Sequence, residues 1–227
     1  MKKLSILLSL LFWSNILTAQ ENSDNNSSMQ VLNLQKGEEV YSQDFNQLDK
    51  LSGQWIIRQD TVWTIENGIL KGLPSPKEHQ QKLIASGQKS KLGIKAKAVL
   101  NHKIKKYVTS FKFMFDDKPG EKHFTFGHNI SNVFFNEKGT RLMSKSKTEA
   151  PRDQRQDLII EPFKWYDLLA EVSEEHLTIQ IRKPDGEIVK LNGHFPEYKK
   201  SKNLNLEFTG TTGGQVSVDD LKVWKAK

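Results

Sequence analysis

The sequence predicts an all-β protein: an antiparallel β-sandwich with one short helix in an insertion. Three observations predict it. Apolar and polar residues alternate at period two along most of the chain. Turn signals such as Asn67-Gly68 and Pro184-Asp185-Gly186 recur at a spacing of roughly ten residues. The last alternating stretch, Val216–Trp224, is entered by Gly213-Gly214 and carries an Asp219-Asp220 step, as suits a terminal sandwich strand.

The chain begins with Lys2-Lys3, an apolar run from Leu4 to Leu17 and the small-residue step Leu17-Thr18-Ala19. These have the form of a secretory signal peptide over 1–19, with an apolar run too short for a comfortable membrane span. The expected compartment is the periplasm or the exterior, with no stable membrane anchor after cleavage. Residues 20–37 open on Asn, Ser, Asp and Glu and are expected to form a flexible lead. Residues 38–227 then form one domain, long enough to bury roughly 70% of the unfolded surface. There is no cysteine, so stability must come from the core rather than from disulfides.

Within the domain the hairpins follow in order. Val62–Ile65 and Ile69–Lys71 flank Asn67-Gly68, which supplies positive φ to a tight turn. Tyr107, Thr109, Phe111, Phe113 and Phe115 share one strand face. Val133–Phe135 and Thr140–Met143 flank Asn136–Gly139. Tyr166–Val172 and Leu177–Lys183 are joined through Ser173-Glu174-Glu175, and Glu187–Leu191 follows Pro184-Asp185-Gly186. Leu204, Leu206 and Phe208 alternate with Asn205 and Glu207. One segment breaks the pattern: Ser75-Pro76-Lys77-Glu78 reads as N-cap, first helical residue and capping-box Glu, and Gly87 as a stop. A helix is expected over 76–85. The polar stretch 144–157 reads as a loop.

The net charge is +7, of which Lys2 and Lys3 supply two, leaving +5 after cleavage. The basic residues are spread along the chain without a nucleic-acid-binding motif, so nucleic acid is not an expected partner. The Glu-x-Asp-x-x-Glu carboxylate arrangement of retaining glycosidases is absent, as are Gly-x-Ser-x-Gly and His-Glu-x-x-His. Asp116-Asp117, Gly120 and Glu121 read as a charged hairpin tip or a calcium-binding edge.

The residues with the most chemical potential lie in His123-Phe124-Thr125-Phe126-Gly127-His128. On a strand, His123 and Thr125 face away from Phe124 and Phe126, and Gly127 permits a bulge that re-aims His128. His123 and His128 are the candidate catalytic residues, as a base and its partner or as metal ligands. His79, Lys82, Arg141 and Lys145 are candidate substrate-binding residues. A divalent metal ion is a candidate cofactor. Of Trp55, Trp63, Trp165 and Trp224, any that is exposed on a sheet can stack on a sugar ring, although apolar neighbours favour the core for each.

Asp44-Phe45 leading to Gly53-Gln54-Trp55, then Trp63–Leu70, and finally Val216–Trp224 together resemble the secreted 3-keto-disaccharide hydrolase family, over most of residues 38–225. The two end motifs also resemble those of a concanavalin A-like jelly roll. The family's arginine-bearing Gly-x-x-Phe-Arg strand is absent. The resemblance implies a carbohydrate or glycoside ligand and a chemistry that needs no carboxylate pair: a ketone at C3 acidifies the C2 proton, a base removes it, the C1 substituent leaves and water adds back. Three readings stand side by side: such an enzyme, a non-catalytic carbohydrate-binding module, and a laminin-G-type structural module with a rim calcium near Asp116 or Asp219.

Overall fold

The computed structural model describes residues 28–127, 130–144, 150–201 and 204–227. Fifteen strands form two antiparallel sheets, as the alternation predicts. They are β1 Lys36–Gln43, β2 Trp55–Ile57, β3 Val62–Glu66, β4 Ile69–Leu73, β5 Lys95–Leu100, β6 Tyr107–Phe115, β7 Lys122–Phe126, β8 Ser131–Asn136, β9 Gly139–Ser144, β10 Asp153–Arg155, β11 Tyr166–Val172, β12 His176–Arg182, β13 Ile188–His194, β14 Leu206–Thr212 and β15 Val216–Ala226. Sheet A runs β13-β12-β11-β6-β15-β4-β3, with β1 also paired to β15. Sheet B runs β10-β9-β8-β7-β14-β5-β2.

The core lies where the central strands of the two sheets face each other. Phe111, Phe113 and Phe115 of β6 meet Phe124 of β7, Phe135 of β8 and Phe208 of β14. Phe124 sits at the hub, with ring centroids 5.0–5.6 Å from five phenylalanines in edge and stacked arrangements. Such pairs add to area burial because ring edges meet ring faces. Trp55 joins this core and donates its indole N–H to the Tyr41 hydroxyl at 2.8 Å.

The expected turns form for the expected reasons. Asn67 and Gly68 take φ of 53° and 74° between β3 and β4. The insertion helix, α1 Lys77–Ala85, ends where Gly87 (φ +74°) donates to the Ile84 carbonyl and Gln88 to the Leu83 carbonyl, a paired closure that glycine permits without strain. Its start differs from expectation. Pro76 occupies the N-cap and no side chain caps the helix. Ser75 instead donates its hydroxyl to the Gly93 carbonyl at 3.3 Å, holding the insertion's two ends together. Glu78, expected to close a capping box, pairs with Lys82 at 2.8 Å.

Four further differences come from long-range pairing. Gly127 (φ +80°) opens the β7–β8 turn, with Ile130 donating to its carbonyl, rather than forming a bulge within one continuous strand. The 144–157 stretch contains β10, recruited by β9. The Asp219-Asp220 step interrupts the alternation as a bulge in mid-strand. There β6 pairing slips between Asp219 and Lys222, Asp220 takes φ 48°, and the strand passes from β4 to β1 as its second neighbour. Last, β1 begins at Lys36, and residues 30–34 of the expected lead lie against the outer face of sheet A. The backbone N–H groups of Leu32, Asn33 and Leu34 all donate to the Glu171 carboxylate at 2.8–2.9 Å.

Glu171 is 3% exposed, so this carboxylate is solvated by the segment's backbone instead of by water. Glu171→Ala should release the segment, at a global cost of about 2 kcal/mol because the freed donors can return to solvent. Amide exchange checks this: protection at Leu32, Asn33 and Leu34 should vanish while β11 keeps its own, and persistence at all three would show that the carboxylate does not hold them.

Candidate functional site

The strand registers assemble a polar grid on the outer face of sheet B. Side chains at every second position point away from the core, and pairing aligns them across strands. One row reads Gln154, Arg141, Phe134, His123, Thr209 and Lys97. The next reads Met143, Asn132, Thr125, Glu207 and Val99. His123 stands in the middle strand, with Glu207 on its diagonal and Arg141 two strands away, roughly 10 Å by strand spacing.

The middle of this face is withdrawn from solvent, while Gln154 at its edge is exposed. Phe134, Thr125, Glu207 and Thr209 are no more than 4% exposed although none points into the core between the sheets. Its polar groups are therefore committed to one another. Lys97 pairs with Glu207 at 3.0 Å, and Thr209 donates to the same carboxylate oxygen at 3.4 Å. Thr125 donates to the Asn132 amide oxygen at 2.6 Å. Arg141 pairs with Glu121 at 3.2 Å, and Lys95 donates to the Glu121 carbonyl at 3.1 Å. The His123 ring lies 5.0 Å from that of Phe134. A ligand entering here meets a histidine, an arginine, a buried carboxylate and an aromatic ring in one low-dielectric patch, where each charge acts more strongly than in water.

Of the residues expected from sequence, His123 and Arg141 are brought onto this one face. His128 and Lys145 lie outside the described residues. His79 and Lys82 are on α1, beyond the β2 edge. His79 contacts Asp60 at 3.0 Å, and β2 itself is three strand spacings, about 14 Å, from β7. The sequence does not single out Glu207, Lys97 or Asn132, while Thr125 is expected on the His123 face. The alternation of Glu207 with Leu206 and Phe208 was visible, but its alignment with His123 depends on pairing between strands some eighty residues apart in sequence.

The remaining candidates find structural employment. Asp116 accepts the Gln215 N–H at 2.8 Å and the Lys118 N–H at 3.3 Å, so its carboxylate ties a hairpin tip to β15's entrance. Among the described residues no group of three or more His, Cys, Asp or Glu is placed to hold a metal ion. Among them, too, no helix is long and apolar enough to cross a membrane.

Similarity to solved structures decides the architecture. The seed lectin of Lotus tetragonolobus superposes with a TM-score of 0.55 at 10% identity, over 82% of this chain and 99% of the lectin. The fold is a lectin-like jelly roll. Domain 4 of AbnA, an extracellular GH43 arabinanase from Geobacillus stearothermophilus solved with arabinotriose, matches with a TM-score of 0.53 at 14% identity, over 85% and 94% of the two chains. A mutant of the GH43 protein BlXynB from Bacillus licheniformis reaches 0.56 at 12% identity, over 88% of this jelly roll but 41% of that longer chain. No family model matches the sequence, and no curated protein matches it. The likeness reaches the fold alone and not the 3-keto-disaccharide hydrolases in particular.

Proposed function

We propose that this jelly roll is a secreted or periplasmic carbohydrate-active enzyme that cleaves 3-keto-glycosides on the outer face of sheet B. The observation that carries the proposal is the placement of His123, Arg141 and Glu207 on one face, with a histidine at its centre. The lectin and GH43 neighbours support a carbohydrate ligand, and the resemblance of Trp63–Leu70 and Val216–Trp224 supports the 3-keto class.

In this mechanism the His123 imidazole takes the C2 proton of the sugar. The C2–H electron pair first forms an enolate, C2=C3–O⁻, which then reforms the C3 ketone as the C1=C2 double bond forms and the C1–O bond breaks. The imidazolium returns its proton to the departing oxygen. Arg141 stabilises the negative charge that gathers on the C3 oxygen in between. Water then adds across C1=C2, placing hydroxyl on C1 and hydrogen on C2, so the net change is hydrolysis.

Release of nitrophenol from a nitrophenyl 3-keto-glucoside tests this. His123→Ala should lower kcat/KM by about 100-fold, the lower end of what a general base contributes, with the circular dichroism spectrum unchanged. Equal turnover by the variant removes His123 from the chemistry. A wild-type protein that binds the glucoside without releasing nitrophenol would favour a second reading, a carbohydrate-binding module, which the lectin neighbours also support.

A further inference from the structure

The opposite outer face, that of sheet A, carries a second cluster. Pairing aligns Arg182 of β12, Asp167 of β11, Lys112 of β6 and Asp219 of β15 in one row of alternating charge. The row walls a cavity of about 470 Å³, which Trp165 and Ile69 complete. A second cavity of about 350 Å³ shares Lys112, Asp167 and Arg182 and continues the groove toward Met29. The β15 bulge is what turns the Asp-Asp step into this wall: it leaves Asp219 lining the cavity, while Asp220 pairs with Lys112 at 2.6 Å. Partial burial raises the Asp219 carboxyl above its ordinary range, and Asp167 lies 3.7 Å from Arg182.

We propose that this groove is a second sugar-binding site, separate from the His123 face, which takes two or three units of a neutral oligosaccharide with one ring against Trp165. The ladder sums to zero charge, so nothing there selects a phosphate or an acidic ligand. Lys183, which also lines the cavity, is neutralised by Glu187 at 2.6 Å. Alternating donors and acceptors match the vicinal hydroxyls of a pyranose, each of which donates and accepts. The indole offers an apolar plane for the C–H face of the same ring. A cavity of this size is within the range of small-ligand sites, and its extension gives room for a second and third sugar. Of the four tryptophans after residue 19, Trp55 is core, Trp63 packs against the core and Trp224 lies beneath the Lys36 ammonium, leaving Trp165 as the one that lines a described cavity.

Titration of 15N-labelled protein with arabinotriose, cellotriose and maltotriose, followed through indole and backbone N–H resonances, tests the site. At least one trisaccharide should shift the Trp165 indole and the amides of Lys112, Asp167 and Arg182, saturating with a Kd on the order of 1–10 mM. Trp165→Ala and Asp219→Asn should each weaken that binding about tenfold, by loss of the stacking plane and of one charged acceptor. His123→Ala should leave it unchanged, and Trp165→Ala should leave 3-keto-glucoside turnover unchanged. No shift with any trisaccharide at about ten times that Kd, or shifts that survive both groove variants, would overturn the site. Because the two sets of variants sit on opposite faces, failure here and failure of the catalytic proposal are separately visible.

Discussion

Phe124→Ala should lower the unfolding free energy by about 3–5 kcal/mol and the melting temperature by about 10 °C. Phe124 is fully buried between the two sheets, and its ring touches phenylalanines from β6, β8 and β14. Removing it forfeits the transfer free energy of the ring and leaves a cavity that cannot close, because both walls are strand backbones held in register. The comparison that isolates burial is Phe163→Ala. Phe163 is 64% exposed, and its backbone link to the Phe115 carbonyl survives the change, so its cost should stay within about 0.5 kcal/mol. Denaturant melts of both variants check the pair. Similar losses would mean that the aromatic hub does not carry the sandwich.

Acidification should destabilise the protein by about 3 kcal/mol between pH 6.5 and pH 4 through His102 alone. His102 is 7% exposed after β5, edge-on to the fully buried Tyr107 ring at 4.4 Å. Burial pushes its imidazole down to about 4, only partly opposed by a hydrogen bond with the Leu204 backbone. Its Nδ1 accepts the Ile104 N–H at 3.3 Å, which requires that nitrogen to be unprotonated. The unfolded chain takes up a proton near pH 6.5 and the folded chain only near pH 4, so stability rises with pH across that window and drains away as pH falls through it. Urea melts at pH 7 and pH 5 read the effect before most carboxylates titrate. About 2 kcal/mol should be lost over that interval in the wild type and much less in His102→Leu. An equal loss in both would acquit His102.

His102 shows where local pattern stops being informative. Flanked by Asn101 and Lys103, it reads as an ordinary surface histidine beside a turn. It is buried because the 196–200 turn and Leu204 return to cover that end of the sandwich, where Tyr198 donates to the Phe126 carbonyl and hydrogen-bonds Ser131. Residues some hundred positions away decide its protonation. Asp219-Asp220 makes the same point from a strand. In sequence it is only a step within the terminal alternating stretch. In the fold it is the place where β15 exchanges one neighbour for another.

The polar face of sheet B was legible in half. His123 and Arg141 could be named because imidazole and guanidinium groups carry obvious chemistry. Glu207 and Lys97 could not, because a carboxylate and an ammonium on alternating strands usually face water. Only the register that sets Glu207 opposite Thr125, and Lys97 opposite Thr209, shows that both belong to the His123 face.

What the sequence determined by itself is therefore what depends on neighbours along the chain. Period-two alternation set the strands and which side of each is apolar, and Asn67-Gly68 and Pro184-Asp185-Gly186 set their turns. Gly87 set the end of the insertion helix. The tertiary structure alone decided which polar faces meet. Strand pairing joins residues from 36 to 226, and a one-residue change of register would exchange every inward side chain for an outward one. Nothing local encodes that register. It is fixed by the shared burial of the phenylalanines in the core, and the two outer faces, one centred on His123 and the other on Trp165 and Asp219, follow from it.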